Sequence, residues 1–322
     1  MSSNTRGAIL GLLGFGIFSI HDVIVKFLGA TYSPFQILFF SVMFAFPMIS
    51  FLLVRDSLAD TMRPHHPWWT ALRTVSLLIS GGCGFYAFSV LPLTQTYSIL
   101  FAVPLVITLL AIPMLGEKVG LHRGGAVLIG LAGVLIVVRP GASEFTLGHA
   151  AAFVAVFFSS LASVIVRRVG KNERNLVLLM FPMLASFLVM GGLMPLDYRP
   201  MPLNHLVAVA VLSVLGFVAL NFMIIAYQTG EAAVVAPMQY SQMLWATLYG
   251  FLIFSETPER HTLIGAAIVI SSGLYIVFRE SRKNVSENTP VLRARSRVTT
   301  GTLPNRRSDA GNHDPSGNDQ SG

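Results

Sequence analysis

The segment GAILGLLGFGIFSIHDVIVKFLG at residues 7–29 has a diverged second copy in the chain. The copy is GHAAAFVAVFFSSLASVIVRRVG at residues 148–170, so that Gly7 corresponds to Gly148 and Ser19 to Ser160, an offset of 141 positions. Both copies are long apolar stretches of the kind that cross a lipid bilayer as one helix. An internal repeat of membrane-spanning segments is therefore the feature on which the fold prediction rests.

A second pair of matching segments closes the two halves. The segment GEKVGLHRGGAVLIGLAGVLIVVRP at 116–140 resembles SETPERHTLIGAAIVISSGLYIVFRE at 255–280. Glu117 then corresponds to Glu256, and a pair of glycines eight residues apart follows in each copy. The two matches predict one repeat over residues 7–140 and another over 147–279.

The composition is that of an integral membrane protein. Of the 322 residues 53% are hydrophobic and only 11% are charged, and the mean hydropathy is +0.67. Soluble domains carry about 25% charged residues. Ten apolar segments, most of them long enough to span a bilayer, are predicted at 8–28, 34–54, 70–90, 94–115, 121–138, 148–167, 175–194, 204–227, 232–255 and 262–278.

The two repeats are predicted to insert with opposite orientations, because each contains five spans and five is odd. With the N-terminus inside, the inner loops hold nine Lys and Arg residues, the outer loops hold three, and the segment from Arg279 onward adds eight on the inner side. The positive-inside rule then places both termini in the cytoplasm. The predicted fold class is an all-α integral membrane protein with ten transmembrane helices in two inverted five-helix repeats. Residues 280–322, rich in Ser, Asn, Gly, Pro and Arg, are predicted to form a disordered cytoplasmic tail.

These features resemble the EamA type of the drug/metabolite transporter superfamily. HDVIVK at 21–26 and LPLTQTYSILFAVPLVITLLAIPMLGEKVG at 91–120 are similar to the bacterial branch that contains S-adenosylmethionine and riboflavin importers. The resemblance implies transport through a central cavity between the two halves, with no fixed catalytic residues. It leaves the substrate open, since the superfamily carries amino acids, nucleotides, vitamins, metallophores and drugs in either direction.

The predicted function is that of a secondary transporter, which moves a small organic metabolite across the bacterial inner membrane by alternating access. Uptake of riboflavin, or of a compound like S-adenosylmethionine, is the leading expectation, and export of amino acids, metallophores or drugs is the alternative. A membrane-embedded lipid-modifying enzyme is disfavoured, because the sequence offers no cluster of acids, His or Arg at one membrane face.

Neither a cofactor nor a nucleic-acid partner is expected. The chain has no phosphate-binding G-x-x-x-x-G-K-[ST] motif. His65 and His66 are adjacent in a loop without the spacing of metal ligands. The high pI of 9.9 arises from the tail and the loops, which fits membrane topology better than nucleic-acid binding. The expected partners are a small-molecule substrate and the lipid bilayer, with a proton as a candidate coupling ion.

The polar residues of the first span are the leading site candidates. Asp22 and Lys26 are four positions apart and share a helix face. A charge at membrane depth is unfavourable by about 2.5–3.5 kcal/mol and is a functional-site hypothesis by default. Asp22, with His21 beside it, either binds a proton or substrate group in the cavity or neutralises Lys26, which then extends to the headgroups.

Other candidates are uncharged polar residues within predicted spans. Pro237 can kink the ninth span, and the polar cluster after it is Gln239, Tyr240 and Gln242. Gln95 and Tyr97 open the fourth span, and Asn221 lies in the middle of the eighth. These side chains either line the cavity or form hydrogen bonds between helices.

Two further groups of residues are assigned structural roles. Glu117 and Glu256 lie at equivalent positions of the two repeats. Each is interpreted as a structural residue that forms hydrogen bonds with the backbone of the next helix, in preference to a catalytic role. Arg73 is interpreted as marking the cytoplasmic interface in preference to a site for a substrate carboxylate, and Cys83, the single cysteine, is interpreted as a packing residue.

Overall fold

The regular structure of this chain is helical throughout the part that can be described. The computed structural model describes residues 3–54, 63–116, 121–139, 145–169, 173, 175–230 and 232–282. Within these ranges the α-helices are α1 (Ser3–Gly29), α2 (Pro34–Val54), α3 (Pro67–Val90), α4 (Leu93–Leu100), α5 (Val103–Leu115), α6 (Leu121–Val138), α7 (Leu147–Val169), α8 (Asn175–Leu193), α9 (Leu203–Thr229), α10 (Ala232–Val235), α11 (Ser241–Phe254) and α12 (Arg260–Arg282). Short 3-10 helices occupy Met194–Asp197 and Ala236–Tyr240. The predicted all-α architecture is confirmed, and the tail from residue 283 lies outside the described residues.

Among the described residues, seven helices are long and apolar enough to cross a membrane. One of the seven is Leu93–Leu115, which combines α4 and α5. Two further apolar helices, over Pro34–Met48 and Gly124–Val138, are shorter and are not among the seven. Many large apolar side chains on α6, α11 and α12 are exposed, as expected of surfaces that face lipid.

Two of the predicted spans are broken within their first half. The span predicted at 94–115 divides at Phe101 and Ala102 into α4 and α5, and the span predicted at 232–255 divides at the 3-10 helix Ala236–Tyr240. A proline follows or lies within each break, at Pro104 and Pro237. Proline has no backbone N–H and clashes with the preceding turn, so a continuous helix is disfavoured at both points.

Contacts between α1, α3, α7 and α9 fix their directions. α1 and α9 are antiparallel, because Gly7 lies against Gly230 while Gly14 lies against Met223. α3 and α7 are also antiparallel, because Leu91 lies against Gly148 while the Ser80 hydroxyl donates to the Ala155 carbonyl at 3.1 Å. α1 and α3 are parallel, with His21 beside Phe85 and Gly29 beside Ser89. It follows that α1 and α7, which carry the two copies of the opening segment, run in opposite directions.

The directions of α4 and α11 follow in the same way. α11 runs parallel to α1, since Gly16 contacts Trp245 and Lys26 contacts Glu256. α4 runs antiparallel to α11, since the backbone N–H at Leu93 reaches Glu256 while Ser98 meets Met243. The two broken spans therefore also run in opposite directions.

The last helices of the two halves, α6 and α12, cross at a pair of glycines. A Cβ placed on Gly265 would lie 2.6 Å from the carbonyl oxygen of Gly133, and one on Gly133 would lie 2.9 Å from the carbonyl oxygen of Gly265. Both distances are shorter than van der Waals contact, so the crossing requires glycine on both helices. Small residues allow this kind of close backbone approach between membrane helices.

Arg73 is built into the packing of α3 against α8. Its side chain is 1% exposed, and its Nη1 donates to the carbonyl oxygen of Leu178. That carbonyl has no helical donor, because position 182, four residues further on, is a proline. Arg73 therefore donates to the Leu178 carbonyl oxygen, which would otherwise lack a hydrogen-bond donor because of Pro182.

Candidate functional site

The two helix breaks meet inside the bundle. Phe101 lies at the first break and Tyr240 at the end of the second, and their ring centroids are 5.1 Å apart in an edge-on contact. Close to the breaks, the Ser98 hydroxyl of α4 lies 3.9 Å from the sulfur of Met243 in α11. Backbone that leaves the helical conformation at membrane depth is tolerated only where protein or water surrounds it, and such breaks accompany binding sites.

A buried carboxylate lies beside the two broken helices. Asp22 of α1 is 0% exposed and accepts a hydrogen bond from the Tyr97 hydroxyl of α4. His21 Nδ1 lies 2.8 Å from the other carboxylate oxygen of Asp22. Gln242 of α11 extends the network, with its Nε2 donating to the Tyr97 hydroxyl oxygen at 3.5 Å. Four residues singled out in the sequence are thus brought together from three different helices.

Aromatic rings enclose this cluster. His21 packs edge-on between Phe18 and Phe85, with ring centroids 6.4 and 6.1 Å away. Phe88 and Phe101 pack on Tyr97. A carboxylate in such low-dielectric surroundings interacts strongly with any cation that reaches it. The arrangement is able to accept a proton or to bind a cationic group of a ligand.

Lys26 forms an ion pair with Glu256, just beyond the end of α11. Its Nζ lies 2.6 Å from Oε1 of Glu256 and donates to the Leu91 carbonyl at 2.5 Å. The second oxygen of Glu256 accepts from the backbone N–H of Leu93 at 3.1 Å. The two side chains are 11% and 21% exposed, and the Phe254 ring lies 5.2 Å from the ammonium group. The pair thus joins α1 and the turn between α3 and α4 to the end of α11.

The remaining candidates lie at separate places. The Gln95 amide is 2.8 Å from His149 Nε2 near the start of α7. The Asn221 amide donates to the Phe217 carbonyl of its own helix at 2.8 Å. Tyr240 is half-buried, with its hydroxyl directed at Gly273, and Gln239 is also half-buried, in the 3-10 helix. Glu117 lies outside the described residues.

His149 was not anticipated from the sequence. Its Nδ1 accepts from the backbone N–H of Thr146 at 3.1 Å, so the neutral ring carries its proton on Nε2, toward Gln95. The structure has the amide nitrogen of Gln95 at 2.8 Å from this Nε2, and the hydrogen bond requires the amide to be turned so that its oxygen accepts. A histidine in the first turn of an apolar span is the only signal that the sequence contained for this contact.

A cavity of about 800 Å³ lies between the two halves near the Lys26 end of α1. The segment between α1 and α2 and one face of α3 form one wall, and residues of α7, α8 and the following 3-10 helix form the other. Its lining is mainly apolar and includes Tyr86, Cys83 and Met190, with Asp197 and Arg199 also among the lining residues. Its volume lies within the range of about 300–1,000 Å³ that is typical of small-molecule sites.

The helical architecture and the buried polar cluster define a multi-pass α-helical membrane protein. The profile of the EamA-like transporter family matches residues 5–139 and 146–279, which together make up most of the chain. The protein therefore belongs to the EamA-like transporter family.

Three relatives are named as transporters of different substrates. The chain is 24% identical to an S-adenosylmethionine uptake transporter of Rickettsia bellii, over 82% of this chain and 90% of the relative. It is 26% identical to a riboflavin transporter of Rhizobium johnstonii, over 86% and 92% of the two chains. It is also 26% identical to a pseudopaline exporter of Pseudomonas aeruginosa, over 82% and 93%. These relatives are named as transporters rather than enzymes.

A solved crystal structure, described only as that of a protein, has a similar fold. Its TM-score is 0.59 at 16% sequence identity, and the match covers 87% of this chain and 98% of the other. At this identity the likeness supports the fold alone.

Proposed function

We propose that this protein is a secondary transporter that moves a small organic metabolite across the bacterial inner membrane by alternating access. Membership of the EamA-like family and the bacterial transporters among its relatives support this proposal. The leading substrates are riboflavin and compounds like S-adenosylmethionine. The single observation that carries the proposal is the buried Asp22 cluster at the meeting point of two broken helices.

The proposed architecture is ten transmembrane helices in two inverted repeats, 7–140 and 147–279. Helix directions support it, since α1 and α7 run in opposite directions, as do the two broken spans. The packing supports it too: Gly7 lies against the end of α9, and its counterpart Gly148 lies against the end of α3. Within each helix, Ser19 bonds the Phe15 carbonyl and its counterpart Ser160 bonds the Val156 carbonyl.

The proposed orientation places both termini in the cytoplasm, on the basis of the Lys and Arg distribution in the loops. The end of the bundle that contains Lys26, Leu91 and Glu256 then faces the outside. Residues 280–322 are proposed to be a cytoplasmic tail beyond the second repeat.

A proton is the proposed coupling ion. Asp22 is completely buried yet accepts a hydrogen bond from Tyr97 and lies within 2.8 Å of His21. Intramembrane carboxylates with His partners commonly serve as proton relays. Under this proposal, an inward proton gradient should accelerate uptake in vesicles, and a protonophore should remove the acceleration.

The direction of transport has an alternative. The relative that exports pseudopaline is as similar to this chain as the riboflavin transporter is, at 26% identity each. Export of a metallophore or an amino acid is therefore the second candidate, and it would use the same cluster from the opposite side.

The test is uptake of a labelled panel in intact bacteria that lack their own transporters. The panel contains riboflavin, S-adenosylmethionine and several amino acids, and cells carrying the empty vector provide the baseline. We expect saturable uptake of one panel member above that baseline. Accumulation of a compound below the baseline would indicate export. The proposed substrates would be contradicted if every compound accumulated only to the baseline while the protein was present in the membrane.

A further inference from the structure

We infer that Lys26 and Glu256 form a gate that closes the path from one membrane face to the Asp22 cluster. The inference rests on the proposed transport function, and it assigns to these two residues a step of the transport cycle.

The ion pair secures the ends of the same helices that carry the cluster. Asp22 is on α1, one turn before Lys26. Tyr97 is on α4, whose first residue, Leu93, donates its backbone N–H to Glu256. Gln242 is on α11, which ends two residues before Glu256. Separation of these three helices at this end would expose the cluster, and the ion pair must break for them to separate.

The pair also connects the two halves of the molecule. Lys26, Leu91 and Leu93 belong to the first repeat, whereas Glu256 and Phe254 belong to the second. Alternating access consists largely of movement of one repeat against the other. In alternating access each face opens in turn, so a contact that joins both repeats at one face must break and re-form in each cycle.

The energetics suit a contact that opens repeatedly. Burying two charges is unfavourable, and their mutual attraction offsets that penalty only in part, so a buried ion pair contributes little net stability. When the helices separate, water can solvate the ammonium group, the carboxylate, the Leu91 carbonyl and the Leu93 N–H together. Opening into water therefore leaves none of these four groups buried without a hydrogen-bond partner, and the closed and open states can lie close in free energy.

The competing interpretation is a permanent structural contact. A labelling experiment separates the two, and it needs no substrate. Ser98→Cys, in a Cys83→Ser background, places a thiol on α4 at a residue that is 0% exposed and faces Met243 of α11. Ser80→Cys is the matched control, because Ser80 is equally buried but lies between α3 and α7.

A gate predicts that Lys26→Met or Glu256→Gln increases labelling of Ser98→Cys by an impermeant thiol reagent added to intact cells. The increase should be roughly tenfold, as expected when a minor open state becomes a major one. Labelling of Ser80→Cys should stay at its low starting level. Unchanged labelling of Ser98→Cys with normal membrane abundance would overturn the gate.

A cross-link provides the second arm, and it applies also if the single variants fold poorly. Lys26→Cys with Glu256→Cys, again without Cys83, is bridged by a short bifunctional methanethiosulfonate reagent and later released by reduction. A gate predicts that bridging stops transport and that reduction restores it. Full transport by the bridged protein would show a permanent contact and overturn the inference.

The two proposals fail in different ways. If the wild-type protein transports no compound of the panel but labelling of Ser98→Cys responds to Lys26→Met, the substrate proposal fails and the gate stands. If transport is found and labelling does not respond, the gate fails and the transport function stands.

Discussion

Asp22 is a carboxylate in the interior of an apolar helix, and its neighbours explain why that position is tolerated. A charged group at the centre of a membrane helix is unfavourable by about 2.5–3.5 kcal/mol on insertion scales. The Tyr97 hydroxyl and the His21 ring supply hydrogen-bonding partners for both carboxylate oxygens, and each bond to a charged group contributes about 1.5–3 kcal/mol. These two hydrogen bonds therefore offset the penalty of placing the Asp22 charge inside the helix bundle.

The first prediction concerns the charge of Asp22. Asp22→Asn keeps the volume and one acceptor oxygen but removes the negative charge, so we expect uptake to fall to the level of the empty vector at normal membrane abundance. Tyr97→Phe removes only the hydroxyl and should reduce the uptake rate by about 10- to 150-fold, the rate equivalent of roughly 1.5–3 kcal/mol. Initial rates of uptake, normalised to protein in the membrane, provide the measurement. Asp22→Asn with a wild-type rate would remove Asp22 from the site.

At this scale the sequence predicted candidate residues but not which other residues they contact. His21, Asp22, Tyr97 and Gln242 stood out as polar groups in apolar spans, and they are in contact. The partner of Lys26 was not predictable, since Asp22 lies one turn away on the same helix while Glu256 is distant in the chain. Periodicity fixes the face of one helix on which a residue lies. Which residue of another helix meets that face depends on tilt and register, which a single sequence does not encode locally.

Prolines affect the predicted spans in different ways. Pro104 and Pro237 accompany the breaks in the fourth and ninth predicted spans, whereas Pro47, Pro113 and Pro182 lie inside continuous helices. At Pro182, Arg73 donates to the carbonyl of Leu178, which the proline leaves without its helical donor. The sequence indicated the kink at Pro237 but not the break before Pro104. A proline in the first turn of a new helix cannot be distinguished, from the sequence alone, from a proline in the interior of a continuous helix.

The second prediction uses this dependence of α8 on Arg73. Arg73→Met removes the donor to Leu178, and we expect it to lower the free energy of unfolding by about 1.5–3 kcal/mol, the range for hydrogen bonds from charged groups. Pro182→Ala restores an N–H that can bond the same carbonyl. Arg73→Met should therefore lower the midpoint of thermal unfolding less in the Pro182→Ala background than in the wild type. Equal decreases in both backgrounds, measured in detergent micelles, would show that Arg73 does not act through Leu178.

At the scale of the whole molecule, helix directions relate the two halves. The first helix and the broken helix of one half each run opposite to their counterparts in the other, and α6 and α12 cross at Gly133 and Gly265. The sequence predicts the division into two repeats, because Gly7 and Gly148 mark the same position in each copy. It did not predict that the breaks at Phe101 and Tyr240 meet, because that contact depends on how distant helices pack.

The third prediction tests the orientation of this arrangement. In a Cys83→Ser background, Ala30→Cys and Arg63→Cys place thiols at exposed positions at the two ends of the bundle. We expect an impermeant thiol reagent to label Ala30→Cys in intact cells and to label Arg63→Cys only after the cells are permeabilised. The reverse pattern would place the Lys26 end in the cytoplasm and contradict the proposed orientation.

The central claim, that this chain alone carries a small metabolite across a membrane, is tested most directly with purified protein in sealed lipid vesicles. The measurement is the initial rate at which labelled riboflavin or S-adenosylmethionine enters vesicles preloaded with the same unlabelled compound. We predict saturable entry of one of the two, faster than into protein-free vesicles and absent with Asp22→Asn. The account would be contradicted if folded, reconstituted protein admitted neither these two compounds nor any other panel member faster than protein-free vesicles do.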